Sequence, residues 1–141
     1  VNRWEQRAIL HAVLTRDPGP PLHVCCVHLN LRQTDRRLQV AQLVALVRTS
    51  VPDDEPLIIG GDFNDWRLQA GAVLCDALNV VDVHVALHGR HARTFPAWRP
   101  LLPLDRIYCR GFDVEAVEVL TGWPWRGMSD HLALAARLRV A

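Results

Sequence analysis

Residues 57–65, Leu57-Ile58-Ile59-Gly60-Gly61-Asp62-Phe63-Asn64-Asp65, decide how this chain is read. Three branched apolar residues run into two glycines, the pattern of a short strand buried on both faces. Polar residues then follow at the strand's carboxyl end. Taken alone, Gly-Asp-Phe-Asn-Asp is also a set of good turn formers. What lies on either side decides between the two readings.

Upstream, residues 7–15 read as a strand, and Asp17-Pro18-Gly19-Pro20-Pro21 is a turn cluster. Residues 22–28 read as a second strand, and the two make a hairpin. Between Thr34 and Arg48, apolar residues at 40, 43, 44 and 47 mark one face of a helix, with Arg36, Arg37 and Gln42 off that face. Downstream, residues 67–79 suggest a short helix, and residues 84–103, with three prolines, read mostly as loop. Three strands follow at about 104–109, 113–120 and 131–139. The fold class is therefore α/β: one mixed, mostly antiparallel sheet with helices on one face.

Four clusters carry chemistry. Val27-His28-Leu29-Asn30 and Gly60-Gly61-Asp62-Phe63-Asn64-Asp65 end strands, whereas Leu104-Asp105-Arg106-Ile107-Tyr108 and Ser129-Asp130-His131-Leu132 begin them. With the later strands antiparallel to the earlier ones, all four meet at one edge of the sheet. Carboxylates at that density suit a hard divalent cation, with magnesium (or manganese) as the expected ion. Imidazoles beside them offer a proton donor or a hydrogen bond to a phosphoryl oxygen. Phosphate-ester hydrolysis uses both.

The motifs Gly-Asp-Phe-Asn, Leu-Asp-Arg-Ile-Tyr and Ser-Asp-His-Leu, in that order, resemble those of the DNase-I-like endonuclease/exonuclease/phosphatase family. His28 in His-Leu-Asn-Leu, the helix bearing Arg36-Arg37-Leu38-Gln39, and Thr94-Phe95-Pro96-Ala97 extend the likeness over residues 5–140. The resemblance implies that residues 1–141 form the C-terminal half of that family's four-layer α/β sandwich. The N-terminal half, with an asparagine and the main metal-binding glutamate, would lie before Val1. Glu5 resembles a later family position, not that glutamate.

The resemblance also implies roles. His28 contacts the scissile phosphate and protonates the leaving group. Asp62 orients or activates the attacking water and, with Asp130, serves the metal. Asn64 holds a phosphoryl oxygen. Asp105 fixes the tautomer of His131, the second phosphate-contacting histidine. The activity expected is that of a metal-dependent hydrolase: a phosphodiesterase or phosphatase, with nuclease activity and a nucleic-acid partner left open. The alternative is a catalytically incomplete fragment that serves as a packing or dimerising module. An apolar face normally covered by the other half would then be exposed, so a homodimer or packing on that half is expected.

Composition bounds these readings. The chain has 141 residues, 50% hydrophobic and 22% charged, with a net charge of +1. That is a globular balance, and it gives no overall electrostatic case for nucleic acid. All sixteen basic residues are arginine, so no lysine nucleophile exists. Cys25, Cys26, Cys75 and Cys109 have no zinc-ligand spacing and read as buried free thiols, which suits a reducing, cytoplasmic compartment. No apolar run approaches the ~20 residues that span a bilayer. His88-Gly89-Arg90-His91 reads as a solvated loop, and Trp98, Trp123 and Trp125 as core or loop packing, although stacking on a base or a lipid head group is the competing use.

Overall fold

A computed structural model describes residues 7–141; Trp4 and Glu5 lie outside the described residues. A five-stranded sheet runs in the order β1-β2-β3-β5-β4, from β1 (Ile9–Leu14), β2 (Leu22–His28), β3 (Leu57–Asp62), β5 (Asp105–Arg110) and the two-residue β4 (Val81–Asp82). Only the β2–β3 pair is parallel, and it is joined by helix α1 (Gln33–Ser50) as crossover. Helices α2 (Gln69–Leu78) and α3 (Val83–His88) flank β4 in sequence.

The sequence expectation of one sheet needs correction. Strands β6 (Phe112–Leu120) and β7 (Ala133–Val140) form a separate two-stranded antiparallel sheet, with the short helix α4 (Trp125–Met128) between them. Gly111, at φ +77, makes the sharp exit from β5 that carries the chain off the first sheet. Residues 84–103 are mostly loop, as the prolines suggest, with the end of α3 at their start. The N-terminus of α3 is capped by Asp82, whose Oδ1 accepts the backbone N–H groups of His84 and Val85.

Two cores follow from this layering. Val40, Leu43 and Val47 of α1 and Leu74 of α2 pack with Cys25, Val27, Leu57, Ile59, Phe63 and Tyr108 on one face of the large sheet. On the other face, Ile58, Ile107 and Cys109 meet Val83 of α3 and Val117, Leu134 and Ala136 of the small sheet. The alternation Leu57 in, Ile58 out, Ile59 in is the period of a strand covered on both sides. The small sheet covers only part of that second face. Leu10 and Leu14, on the opposite side of β1 from Ile9, are 67% and 50% exposed, an apolar face left uncovered by the described residues.

Two further expectations change. The apolar spacing puts Arg36 off the buried helix face, yet it is buried and donates to the carbonyls of Asn30 and Leu31. Of the four cysteines, Cys25 and Cys109 are buried but Cys26, pointing to the other face from Cys25, is exposed. Among the described residues no helix is long and apolar enough to cross a membrane.

Candidate active site

Strand register brings the motifs together. In the parallel β2–β3 pair His28 stands beside Asp62, and in the antiparallel β3–β5 pair Asp62 stands opposite Asp105. Gly61 makes the first of these contacts achievable. It sits at φ +140, and a Cβ there would lie 1.9 Å from the carbonyl oxygen of Val27. Only glycine lets β3 press that closely against β2 at its carboxyl end. His28 Nε2 lies 3.5 Å from Asp62 Oδ2.

Beyond Asp62 the chain turns sharply. Asp62 Oδ1 accepts the backbone N–H of Asn64 at 2.8 Å, an Asx turn, and Asn64 takes the left-handed conformation that asparagine tolerates. The Asn64 side chain donates to the carbonyl of Leu29 at 2.8 Å, which ties the turn to the end of β2. One amide hydrogen is thereby committed to the scaffold, and Asn64 lines the cleft.

His131 comes from the chain just before β7, so the site bridges the two sheets. Its Nδ1 lies 2.7 Å from Asp105 Oδ2. A carboxylate only accepts, so Nδ1 carries the proton of this bond and Nε2 is left for the cleft. Phe95 packs against the ring at 4.8 Å between centroids. Burial pulls the His131 pKa down. The hydrogen bond and charge of Asp105, with the charges of Asp62 and Asp130, outweigh it and leave the group raised. Asp62 is also raised, chiefly by burial; the Asn64 hydrogen bond opposes this, the negative charge of Asp105 adds to it, and His131 and His28 counter it.

These groups line one cleft of about 530 Å³, together with Leu31, Trp66 and Asp130. Ligand atoms of Asp62, Asp105 and His131 lie within 4.8 Å of one another, the one such group among the described residues. Asp130 lines the cleft but stands outside that group; its side chain is approached by Ser129 Oγ at 3.4 Å, and its carbonyl accepts Ala97 N–H. The donor set fits a hard divalent cation. Two carboxylates face each other there, and each raises the cost of the other's charge.

Three contributors escaped the sequence reading. Thr94 is fully buried, and its hydroxyl donates to the same Asp105 oxygen that holds His131. It lies in Thr94-Phe95-Pro96-Ala97, noticed only as a family likeness. Arg106 and Asp65 form a buried pair, in place of the surface ion pair that Asp105-Arg106 suggested on a bland reading. Arg106 reaches Asp65 Oδ2, the carbonyls of Asp65 and Pro103, and Tyr108 OH. Asp65 Oδ2 also accepts Ala70 N–H at the start of α2. Together they hold the turn that presents Asp62 and Asn64. His88, Gly89 and Arg90 are exposed, as the solvated-loop reading expects, and the segment is tied down by His88 bonding to the Val117 carbonyl and His91 to Asp82.

Comparison with known proteins gives the family and the fold. The model of the Endonuclease/Exonuclease/phosphatase family matches residues 2–131. The uncharacterized protein YbhP of Escherichia coli (strain K12) is 40% identical over 141 residues, covering 99% of this chain and 55% of that protein; the chain thus spans about half the length of this curated relative. A humanized D. rerio TDP2 superposes with a TM-score of 0.77 at 22% identity, covering 95% of this chain and 61% of that one. The human Nocturnin catalytic domain, solved with a bound sulfate anion, gives 0.73 at 22% identity over 96% of this chain and 53% of that one. At such identities these two show the fold.

Proposed function

From the premise that this chain belongs to the Endonuclease/Exonuclease/phosphatase family, we propose that it carries the phosphate-handling residues of a metal-dependent phosphoesterase. The observation that carries the reading is the convergence of Asp62, Asp105 and His131 within 4.8 Å, in a cleft shared with His28. We also read residues 1–141 as the C-terminal half of the family's domain, supported by the order of the motifs. Activity, substrate and metal use of the whole protein form part of this proposal.

Asp62 is the group that takes a proton from the attacking water; its raised pKa brings it closer to the pH at which it works. His28, on the far side of Asp62 from Asp105, delivers a proton to the leaving oxygen. The second amide hydrogen of Asn64 and the Nε2 of His131 meet phosphoryl oxygens, where fixed donors stabilise the charge that builds up in the transition state. Asp105, held in place by the Thr94 hydroxyl, orients His131 and favours its cationic form. Mg²⁺ or Mn²⁺ would be held by Asp62 and Asp105, with Asp130 at the cleft wall, and when bound supplies electrostatic stabilisation of the phosphoryl group. The half-exposed His28 and the cleft's breadth leave room for a diester or a monoester, nucleic acid included.

The test is hydrolysis of bis-p-nitrophenyl phosphate with magnesium by the parent and by His131→Ala. A loss on the order of 10²–10⁴-fold is expected, and chelation of the metal is expected to abolish turnover in both. Equal rates for the two chains would remove His131 from the reaction. A parent with no activity under any divalent ion would favour the packing-module reading. The bare face at Leu10 and Leu14 supports packing on further polypeptide, a second copy or the domain's other half, and light scattering after size exclusion distinguishes these.

A further inference from the structure

The loops beside the cleft share a composition unlike the rest of the chain. Residues 83–104 and 119–129 contain no acidic residue, but hold Arg90, Arg93, Arg99 and Arg126 and three of the five tryptophans. Four of the sixteen arginines lie there, so the remainder of the chain sets twelve arginines against fifteen acids. Arg90 and Arg93 line a separate pocket beside α3, whereas Arg99 and Arg126 belong to loops joined to Phe95 and Asp130 of the cleft.

The structure gathers two of these loops into one rim. Loop 95–102 is closed by the Phe95–Leu102 bridge and by the Leu101 N–H to Phe95 carbonyl bond. Arg126 donates to the Trp98 carbonyl at 2.8 Å, and Ala97 N–H to the Asp130 carbonyl at 2.7 Å, so loop 122–128 is held against it. The rim is built, yet its large side chains face water: Trp98 is 68%, Trp123 85% and Met128 70% exposed. The Trp123 ring lies over Gly127, where a Cβ would come within 2.5 Å of it. Leu101 and Leu102, on the first loop, are exposed too. Core packing, one of the uses the sequence suggests for these tryptophans, does not hold, and loop packing is seen for Trp123 on Gly127.

Tied loops that show water tryptophan, methionine and leucine, with arginine between them and no acid, match the chemistry of a lipid–water interface. Indole sits at the head-group level, aliphatic side chains enter below it, and guanidinium meets phosphate. Single-stranded nucleic acid also takes basic and aromatic surfaces, but by stacking, and leucine and methionine offer no ring to stack. We propose that the rim made by loops 95–102 and 122–128 docks on an anionic phospholipid surface, with Trp98 and Trp123 as anchors and Arg99 and Arg126 toward the head groups. This does not rest on the phosphoesterase reading; a docked rim would bring the cleft to the bilayer surface whatever the cleft does.

Co-sedimentation of the protein with vesicles tests it, using pure phosphatidylcholine and phosphatidylcholine containing phosphatidylglycerol. Binding to the anionic vesicles, with a blue shift of tryptophan emission, is expected. The Trp98→Ala/Trp123→Ala chain should bind at least about tenfold more weakly, and Arg99→Glu about fivefold more weakly. Leu14→Ser, on the other exposed apolar face, should bind as the parent does. The replaced side chains are exposed, so melting temperatures should stay with the parent. Equal partition onto both vesicle types, undiminished binding by the double variant, or an equal loss in Leu14→Ser would each overturn the proposal. So would tighter binding to a single-stranded oligonucleotide that the same substitutions weaken, which would assign the rim to nucleic acid.

Discussion

Asp65–Arg106 and Asp105–His131 are both carboxylate–cation pairs, and they share one motif, where Asp105 and Arg106 are adjacent. Asp65 and Arg106 are 1% and 0% exposed in their side chains, whereas Asp105 and His131 are 22% and 25% exposed. The dry pair is shut away from water by its surroundings. Arg106 spends its donors on four acceptors, and removing it would leave Asp65 a buried anion. The half-wet pair can change its protonation without unfolding anything. One pair fixes where the Asp62–Asn64 turn stands; the other works at the surface that turn presents.

The largest effect expected from breaking this contrast is on stability. Arg106→Leu leaves Asp65 uncompensated apart from Arg36 Nε at 3.8 Å, and should cost roughly 3–5 kcal/mol in urea unfolding. His131→Ala, removing the cation of the exposed pair, should cost about 1 kcal/mol or less. If the Arg106→Leu chain unfolds at the parent's midpoint, the Arg106 network is not what holds the turn. If both variants lose comparable stability, the division of labour between the pairs fails.

A smaller effect sharpens the same contrast from inside the working pair. Thr94→Val keeps the shape of a fully buried side chain but removes the donor to Asp105 Oδ2. Turnover should fall about tenfold, the worth of one hydrogen bond to a charged group, with KM little changed. Thr94→Ser should restore it. A Thr94→Val chain with parental kcat would relieve Thr94 of any positioning role, and a serine variant no better than valine would point to packing instead.

The sequence made one layer of this organisation readable and hid another. Asp62, Asp105 and His28 were placed at one edge because strand polarity and the glycine-rich strand end follow from local residue choice. The two charges that hold the turn were missed for the opposite reason. Arg36 and Arg106 look like surface residues in a one-dimensional pattern, and their burial follows from carbonyls contributed by other parts of the chain. That β6 and β7 leave the first sheet was equally out of reach, since a strand's alternation does not say which neighbour it pairs with. Asp130 shows a third limit: it is next to His131 in sequence, yet only His131 falls in the three-residue group with Asp62 and Asp105.

The smallest effect expected is the pH dependence of the exposed pair, measured without divalent ions. His131 is raised above its ordinary value of 6.5 in the folded chain. A cation favoured by folding contributes stability that is fully present below the unfolded value and is lost as pH rises through the folded one. The parent should therefore lose stability relative to His131→Gln as pH rises from below 6.5 through the raised folded-state value, by no more than about 1 kcal/mol because both partners are partly exposed. Asp62 acts in a separate window. Its carboxyl is raised above 3.8, mainly by burial, so its charge costs stability above the folded pKa, and that cost fades as pH falls toward the ordinary value. Both groups thus favour the folded chain on acidification, one near neutrality and one well below it. Thermal melts across pH separate them: the near-neutral slope should vanish in His131→Gln while the acidic one persists. A gap between parent and His131→Gln that stays constant or widens as pH rises would mean that Asp105 does not hold His131 in its cationic form.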